Sequence, residues 1–454
     1  MGIEKTIVEY ISRTCFDDIP AEVIETVKDE VRSILGATIP GANAEGGQAM
    51  RDLALEVGGA AESSILIHGG KVPAQQAAFV NAFMTRALDF CDAIVPGAHP
   101  GAATVATALA AAEMVGGVGG AEFLAAVCVG DEVAIRLNLG EAEYDGFDPT
   151  GVCVPFGATA AAARILGLNE EQTANALGLA FCRCGGSFQA NVDGVLALRV
   201  IEGWVAENGV SCARLARRGI TRPPNFLDGI YGYFHLYGRD RVNGEAVLSG
   251  LGSDYRLNKS IVFKKFPSCG GTQAATELIL DLVRSEDLAA SDVEWITMTV
   301  PPYIYKLVGH PFHLGTNPKA NAQFSIRYCV ANALHRGAPT FTHFEAGAIR
   351  NPEVLALVQR IEAVPDPALD ARGHTAIDMQ VLTRTGREFV LSTDVAPGFP
   401  EKPLSREEHV SRFHDCMAFA GKSPITARAA EILRAVDRID QMKDVRELVD
   451  LLVP

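Results

Sequence analysis

Residues 98–112 of this chain read Ala-His-Pro-Gly-Ala-Ala-Thr-Val-Ala-Thr-Ala-Leu-Ala-Ala-Ala, and this stretch decides the expected fold. Proline suits the first turn of a helix, where its missing N–H leaves no hydrogen bond unmade. The stretch therefore predicts a helix that begins at Pro100, with His99 at or near the N-cap. The longest apolar run, from Ala102 to Ala112, is too short to cross a bilayer. We expect a buried, alanine-rich helix in a globular domain.

The histidine at the start of this helix stands in a setting that suggests chemistry. Asp92 closes the preceding apolar segment, and the small Gly101 and Ala102 would let an anion approach the N–H groups of the helix start. An imidazole, a carboxylate and an anion-receiving helix end indicate acid–base chemistry on a carboxylate substrate. The alternative is a capped helix with polar residues at the surface.

The same helical pattern recurs through the first 265 residues. Apolar residues at helical spacing, small residues on the inner faces and short glycine-rich linkers predict further helices at 20–35, 74–90, 101–115, 121–137, 156–166 and 170–180. Residues 1–18 also read as an amphipathic helix and lack the apolar core of a signal peptide. This part of the chain is therefore expected to be almost wholly α-helical.

The pattern changes near residue 266. A strand is predicted at 293–300 and a β-hairpin at 377–383 and 388–393, with helices at 272–285 and 322–336 between them. Helical pattern returns after Pro403, where Ser405 and Glu408 form a capping box. We predict a mainly α protein with a smaller α+β domain: residues 1–265 and 401–454 form the helical domain, and residues 266–400 form the α+β domain.

Composition excludes several classes of function. The chain has 454 residues and a net charge of -15, so its surface would repel the phosphates of a nucleic acid. A site for an anionic substrate must then be locally basic. The ten cysteines show no spacing typical of a zinc site and suit a reducing compartment. We expect a cytoplasmic protein with no metal, no cofactor and no membrane partner.

Two further segments share the design of small residues before a helix start. They are residues 155–158 (Pro-Phe-Gly-Ala) and 267–272 (Pro-Ser-Cys-Gly-Gly-Thr). Each is expected to offer unpaired N–H groups and the positive end of a helix dipole. If these helix starts converge with the one at His99, they could bind a di- or tricarboxylate. Close packing is the alternative reason for the small residues.

Other polar residues near these segments are candidates for the same site. Asp148 lies in the loop before the second helix start, and Lys264 and Lys265 precede the third, where they could clamp a substrate carboxylate. Arg199 stands alone in an apolar stretch that resembles a buried helix face, so it needs a carboxylate or a substrate as its partner. His310 could serve as a proton donor. A solvated or structural role is the alternative for each.

Five stretches, in this order, resemble the MmgE/PrpD family of 2-methylcitrate dehydratases, cis-aconitate decarboxylases and iminodisuccinate epimerases. They are ALDFCDAIVPGAHPGA, PFGATAAAARILGL, KKFPSCGGTQAA, AQFSIRYCVANALHRG and PGFPEKPLSREE. The resemblance implies a helical domain built from both chain ends, a smaller α+β lid, a cleft between them and a homodimer. The family's catalytic aspartate corresponds to Asp89, and its catalytic histidine corresponds to His99. His310 falls near the family's tyrosine or histidine ahead of the lid helix.

Three positions depart from the family's pattern. Ala93 stands where the family usually has threonine, Asp148 where it has histidine, and Leu198 where it has the active-site lysine, which leaves Arg199 beside it. Removal or return of a proton next to a carboxylate could survive these changes. A non-catalytic relative that binds a metabolite or a partner protein is a further alternative.

The leading hypothesis is a cofactor-independent lyase that acts on a small di- or tricarboxylic acid. His99 would transfer the proton, Asp89 would orient it, and Arg199 with Lys264 or Lys265 would hold carboxylates. Epimerisation of a dicarboxylate is the alternative reaction, with Asp148 as the second proton-transfer group.

The position of the third helix start yields one more expectation. Lys264, Lys265 and Cys269 should lie at a hinge between the domains, because the strand pattern begins only after this segment, and they should face His99. Cys269, at a helix start beside lysines, should react readily with thiol reagents.

Overall fold

The computed structural model describes residues 2–140, 143–315 and 317–454, which form two compact units. The first unit comprises Met1–Ile261 and His409–Pro454, and the second comprises Val262–Glu408. The first is built almost wholly from helices, and the second combines helices with a four-stranded sheet. The predicted fold class, mainly α with a smaller α+β part, is confirmed. Within the described residues, no helix is long and apolar enough to cross a membrane.

The N-terminal part of the first unit contains every helix predicted for it. The long helices are α1 (Ile3–Arg13), α2 (Ala21–Gly41), α3 (Gly47–Val57), α4 (Ala74–Arg86), α5 (Pro100–Met114), α6 (Gly120–Leu137), α7 (Pro149–Ile165), α8 (Glu170–Phe181) and α10 (Ala197–Arg217). Short helices are α9 (Gln189–Val192), α11 (Tyr233–Leu236), α12 (Gly244–Leu248) and α13 (Leu257–Ser260), and short strands are β1 (Ser63–Ser64), β2 (Lys71–Val72) and β3 (Asp92–Ala93).

The core of this unit depends on small residues that let helix backbones approach. Helix α10 packs against α4, α5, α7 and α8. A Cβ atom added at Gly203 would lie 2.9 Å from the backbone oxygen of Phe79 in α4. One added at Gly209 would lie 2.8 Å from the backbone of Ala158 in α7. Because neither backbone can move aside cheaply, glycine is required at these crossings.

Helix α7 begins at Pro149, seven residues earlier than the sequence predicts. The expected helix start at 155–158 is therefore wrong, because Pro155 lies inside the helix. Proline cannot donate a hydrogen bond to the carbonyl of Gly151, one turn earlier. That carbonyl instead accepts a hydrogen bond from the N–H of Gly185 at 2.9 Å. The loop after α8 thus supplies the donor that would otherwise be missing, and the helix continues.

The second unit is an α+β structure. Its elements are β4 (Val262–Phe263), α14 (Gln273–Glu286), β5 (Val293–Val300), α15 (Pro302–Ile304), α16 (Pro318–Gln323), α17 (Ile326–Arg336), α18 (Ala346–Ile349), α19 (Pro352–Val358), β6 (Ile361–Pro365), β7 (Ile377–Thr383) and β8 (Glu388–Thr393). The sheet has the order β6-β5-β7-β8, with β5 and β6 parallel and the other pairs antiparallel. The predicted strand and hairpin are confirmed, whereas β6 was not predicted.

The C-terminal segment starts with the predicted capping box. The N–H of Ser405 donates to Glu408 Oε2 at 2.8 Å, and the N–H of Glu408 donates to Ser405 Oγ at 3.2 Å. The helices that follow are α20 (Arg406–Ala420), α21 (Pro424–Ala427), α22 (Ala429–Asp437) and α23 (Arg446–Leu451). In the first unit, α22 packs against α2, and α23 packs against α5.

Candidate active site

His99 is the N-cap residue of α5, as the sequence predicts, and its side chain is buried. Ring atom Nδ1 lies 2.6 Å from the backbone oxygen of Asp92. Because a carbonyl oxygen can only accept, Nδ1 must carry the hydrogen. The neutral ring then has Nε2 as its proton acceptor. The N–H of His99 donates to Thr150 Oγ1 of α7 at 3.2 Å, so two neighbouring elements hold the residue in place.

The N-terminus of α5 does not offer unpaired N–H groups, contrary to our expectation. The fully buried carboxylate of Asp92 accepts hydrogen bonds from Gly101 N at 2.8 Å and from Ala102 N at 3.2 Å. The anion at this helix start is therefore a side chain of the protein itself. Asp92 holds the helix with its carboxylate and the His99 ring with its backbone carbonyl.

Asp89 lies in the short turn between α4 and His99. It has a φ of +54°, in the left-handed region that aspartate tolerates better than bulkier residues, and its side chain is buried. Its carboxylate forms an ion pair with Arg86, the last residue of α4. Burial acts to lower the pKa of Arg86, but the opposing charges of Asp89, Cys91 and Glu202 raise it above its ordinary value. Arg86 is thus a fixed cation of the site.

A second buried arginine holds the turn that carries Asp89. Arg412, in the C-terminal part of the first unit, donates from Nη2 to the backbone oxygen of Phe90 at 3.1 Å and to Ser33 Oγ at 3.2 Å. Its guanidinium also lies 4.3 Å from the centre of the Phe90 ring, a cation–π contact. Burial lowers the pKa of Arg412 to about 10. A residue far along the chain therefore stabilises the turn between Asp89 and His99.

Asp148 is the N-cap residue of α7. Its carboxylate accepts from the N–H groups of Thr150 at 2.9 Å and Gly151 at 3.4 Å, and from Asn191 Nδ2 at 3.3 Å. Burial raises the pKa of Asp148, while the charge of Arg86 and these hydrogen bonds act in the opposite direction. The residue that replaces the family's histidine is thus both a helix cap and a buried acid near Arg86.

Glu202 is a buried acid that the sequence reasoning missed. It lies on α10 and is 1% exposed, and its Oε1 atom has no hydrogen-bond partner among the described residues. Burial raises the pKa of Glu202 well above its ordinary value, the charge of Arg86 lowers it, and those of Asp92 and Asp148 raise it. The signal was available, because Glu202 stands in the same apolar stretch that singled out Arg199.

Arg199 is on α10 and is partly buried, but the stretch around it is not a buried helix face. Val195 and Trp204 are 46% and 54% exposed. Arg199 Nη1 donates to the backbone oxygen of Glu45 at 2.7 Å, so the partner found is a carbonyl and not the expected carboxylate. Burial lowers the pKa of Arg199, the nearby charge of Arg86 lowers it further, and Asp89 raises it. Arg199 therefore belongs to the same group of charges as Arg86.

A cleft of about 230 Å³ lies in the first unit, and its lining residues include neighbours in sequence of Asp148 and Glu202 but none of the charged residues described above. Its walls include Gly151 of α7, Arg183 after α8, and Trp204 and Asn208 of α10. A Cβ atom added at Gly186, which also lines the cleft, would lie 3.3 Å from Cβ of Asp148. The cleft therefore reaches the cap of α7.

The remaining predicted residues lie in the second unit. Lys264 is buried, and Lys265 forms ion pairs with Glu277 at 3.1 Å and Glu408 at 2.8 Å. Desolvation acts to lower the pKa of Lys265, but these two carboxylates raise it. The carboxylate partners of Lys265 are thus supplied by the protein itself.

Cys269 caps the 3-10 turn that precedes α14, and its side chain is 6% exposed. This burial contradicts the expected ready reaction with thiol reagents. His310 is exposed and follows a π-helical turn, with its ring 5.2 Å from that of Tyr305. Whether the second-unit residues face His99 stays a prediction.

The first unit thus brings His99, Asp89, Asp148 and Arg199 into one buried group with Arg86. An imidazole with a defined tautomer, two guanidinium groups and buried acids can move a proton and hold a carboxylate. No group of three or more histidine, cysteine, aspartate or glutamate side chains suited to a metal ion occurs among the described residues.

Two family models together match most of the chain. The MmgE/PrpD N-terminal domain matches residues 5–244, and the MmgE/PrpD C-terminal domain matches residues 266–438. The chain belongs to the MmgE/PrpD family. The predicted resemblance is therefore confirmed.

Curated MmgE/PrpD relatives with named activities are similar along most of the chain. Cis-aconitate decarboxylase of Homo sapiens is 27% identical over 84% of this chain and 80% of its own length. Cis-aconitate decarboxylase of Aspergillus terreus is 25% identical over 99% of this chain and 96% of its own length. 2-Methylcitrate dehydratase of Escherichia coli is 24% identical over 66% of this chain and 64% of its own length. These relatives are lyases, and this MmgE/PrpD chain is an enzyme, too.

Proposed function

We propose that this protein is a lyase that moves a proton next to a carboxylate of a small di- or tricarboxylic acid, with no cofactor required. The observation that carries the proposal is the fixed tautomer of His99, whose Nδ1 hydrogen is held by the Asp92 carbonyl beside the Asp89–Arg86 ion pair. The named relatives, a decarboxylase and a dehydratase that act on tricarboxylic acids, support the same class of substrate.

The proposed chemistry assigns a role to each group. In a dehydration, Nε2 of neutral His99 takes a proton from the carbon next to a carboxylate, the electron pair forms a double bond as hydroxide leaves, and the imidazolium gives its Nε2 proton to the hydroxide to form water. In a decarboxylation, His99 must start as the imidazolium: the C–C bond to the carboxylate breaks, carbon dioxide leaves, and the resulting carbanion takes the Nε2 proton, which leaves the ring neutral with its hydrogen on Nδ1. Arg199 would hold a substrate carboxylate, while Arg86 keeps Asp89 ionised.

The residues of the second unit would complete the site. Lys264 and Lys265 are proposed as carboxylate-binding groups from their position before the third helix start, and His310 is proposed as a proton donor that also falls near a family position. Lys265 already pairs with Glu277 and Glu408, so a substrate carboxylate would have to compete with these two groups for it. We also propose that the second unit acts as the lid that the family resemblance implies.

The test is a panel of carboxylic acids offered to wild-type protein and to His99→Gln. We expect at least one of citrate, methylcitrate, aconitate or an aspartate-derived acid to give an unsaturated product, seen by ultraviolet absorbance. His99→Gln should reduce the rate at which this product forms by about 10²–10⁴-fold. His235→Gln is the matched control, because His235 is an exposed histidine paired with Asp240 in the same unit. Saturable binding without turnover would indicate a non-catalytic relative instead.

Epimerisation is the second candidate, and the buried acid Asp148 favours it. An epimerase needs a second proton-transfer group, and Asp148 is a buried acid near Arg86 whose pKa is raised by burial. Incubation in deuterated water separates the two reactions. An epimerase exchanges the hydrogen next to the carboxylate without losing water or carbon dioxide, whereas a lyase yields an unsaturated product.

A further inference from the structure

Three carboxyl groups are buried together behind His99. Glu30 of α2, Asp92 before α5 and Asp131 of α6 are each 0% exposed. Glu30 lies between the other two, within hydrogen-bonding range of both carboxyls. It also lies directly beneath the start of α5, because a Cβ atom added at Gly101 would be 2.3 Å from Glu30 Oε1. No part of the proposed reaction uses this cluster.

If all three groups were ionised, some of their oxygen atoms would have no hydrogen-bond donor. Asp92 accepts from Gly101 N and Ala102 N, and Asp131 Oδ1 accepts from Thr104 Oγ1 at 2.6 Å. Both oxygens of Glu30 and Oδ2 of Asp131 then have no donor among the described residues. Buried polar atoms are almost always hydrogen-bonded, so a donor must be present. A proton on one carboxyl group provides it.

Among the described residues, the basic side chains that flank Glu30 and Asp131 on their own helices pair with other carboxylates. Lys28 and Arg32 flank Glu30 on α2, but Lys28 pairs with Glu25 and Asp440, and Arg32 pairs with Asp29 and Asp437. On α6, Arg136 pairs with Glu132. Three like charges at this separation in a buried site cannot all persist. A shared proton therefore supplies a hydrogen-bond donor and also reduces the repulsion between the carboxylates.

We propose that Glu30 carries a proton that it shares with Asp92 and Asp131, and that it acts in this way as a positioning residue for His99. The chain of contacts is short. Glu30 lies within hydrogen-bonding range of the Asp92 carboxyl group, the Asp92 carboxylate caps α5, and the Asp92 carbonyl receives Nδ1–H of His99. The catalytic consequence rests on the proposed function, whereas the protonated state of Glu30 does not.

Burial agrees with this assignment. Desolvation raises the pKa of Glu30 well above its ordinary value, and the neighbouring Asp131 and Asp92 raise it further. The groups that face the cluster are Cys128 and Glu132 on α6, and both lack a positive charge. Both neighbouring carboxyl groups therefore favour the protonated form of Glu30.

Infrared difference spectroscopy tests the proton directly and needs no substrate. The spectrum of wild-type protein at neutral pH, minus that of Glu30→Gln, should show the carbonyl stretch of a protonated carboxylic acid. Glu25→Gln is the matched control, because Glu25 is an exposed acid on the same helix, and it should show only the loss of carboxylate bands. Absence of the protonated band from the Glu30 difference spectrum would overturn the proposal.

Kinetics then tests the positioning role on whichever acid is turned over. Glu30→Met removes the shared proton, so kcat should fall about 10- to 100-fold, the scale expected when a catalytic group is displaced, with KM little changed. Glu30→Gln, whose amide can donate but cannot titrate, should restore part of kcat and move the alkaline limb of the pH profile. Identical pH profiles for wild type and both variants would refute the positioning role, even if the infrared band were present.

Discussion

At the scale of single residues, the charges of the site depend on Arg86. This buried cation pairs with Asp89 and also opposes the buried acids Asp148 and Glu202. Arg86→Met would leave these groups without compensation, so the free energy of unfolding, measured with urea, should fall by about 3–5 kcal/mol. Arg51→Met removes an exposed ion pair with Asp52 and should change the free energy of unfolding by about 0–1 kcal/mol. Equal effects of the two substitutions would contradict this role.

Asp148→Asn separates the two roles of that residue. The amide oxygen can still accept from Thr150 and Gly151, so the cap of α7 and the thermal midpoint should be nearly unchanged. The amide cannot hold or release a proton, and we therefore expect kcat or the rate of deuterium exchange to fall by about 10²–10⁴-fold. A variant with wild-type rates would show that Asp148 only caps the helix.

Sequence reasoning located His99 but not the groups that define its chemistry. The dipeptide His99-Pro100 predicts the N-cap because proline fixes the first helical turn, a purely local effect. Whether the N–H groups behind it are vacant depends on Asp92 folding back, and Arg86 gains its role only when α4 ends beside α10. The contact of Arg412 with Phe90 joins residues 322 positions apart, and no spacing rule predicts it.

At the scale of elements, the packing of α2 and α6 beside the start of α5 makes stability depend on pH. Burial raises the pKa of Asp131 from its ordinary 3.8 to about 7. Glu30 from α2, Asp92 from the turn before α5, and Glu132 on the same helix face its carboxyl. Because the folded protein binds this proton more tightly than the unfolded chain, its contribution to stability is fully present below pH 3.8. It is lost as the pH rises through about 7.

Asp131→Asn tests this dependence. The amide oxygen can still accept from Thr104, so the contact with α5 remains. The free energy of unfolding of wild type should decline from pH 5 to 8, and the variant should lose part of that decline. The same slope in both proteins would show that Asp131 titrates at its ordinary pKa.

Many helices could be predicted because their apolar spacing is local, and α7 and β6 show why other elements could not be placed correctly. Helix α7 passes through Pro155 because the N–H of Gly185 bonds to the carbonyl that proline leaves unpaired, a contact between distant segments. Strand β6 was missed because it is five residues long and pairs in parallel with β5 far earlier in the chain. In both cases, a tertiary partner overrode the local signal.

At the scale of the whole molecule, we expect the homodimer that the family resemblance implies. Ile230 and Tyr231 in the first unit are 81% and 73% exposed, which is unusual for large apolar side chains. If they lie at the dimer interface, Ile230→Asp with Tyr231→Ser should shift the mass measured by light scattering towards that of a monomer. Val390→Asp, at a 68% exposed position of the second unit, is the control. A monomeric wild-type protein would refute the expectation.

The bond between Arg412 and the Phe90 carbonyl determines when, during synthesis, the site becomes complete. Phe90 emerges from the ribosome 322 residues ahead of its arginine. At about 5–20 residues per second, this interval is on the order of tens of seconds. Throughout that time, the nascent chain carries Asp89 and His99 on a turn that lacks its clamp. A chain that stops before α20 lacks Arg412, and we expect its turn between Asp89 and His99 to be less stable.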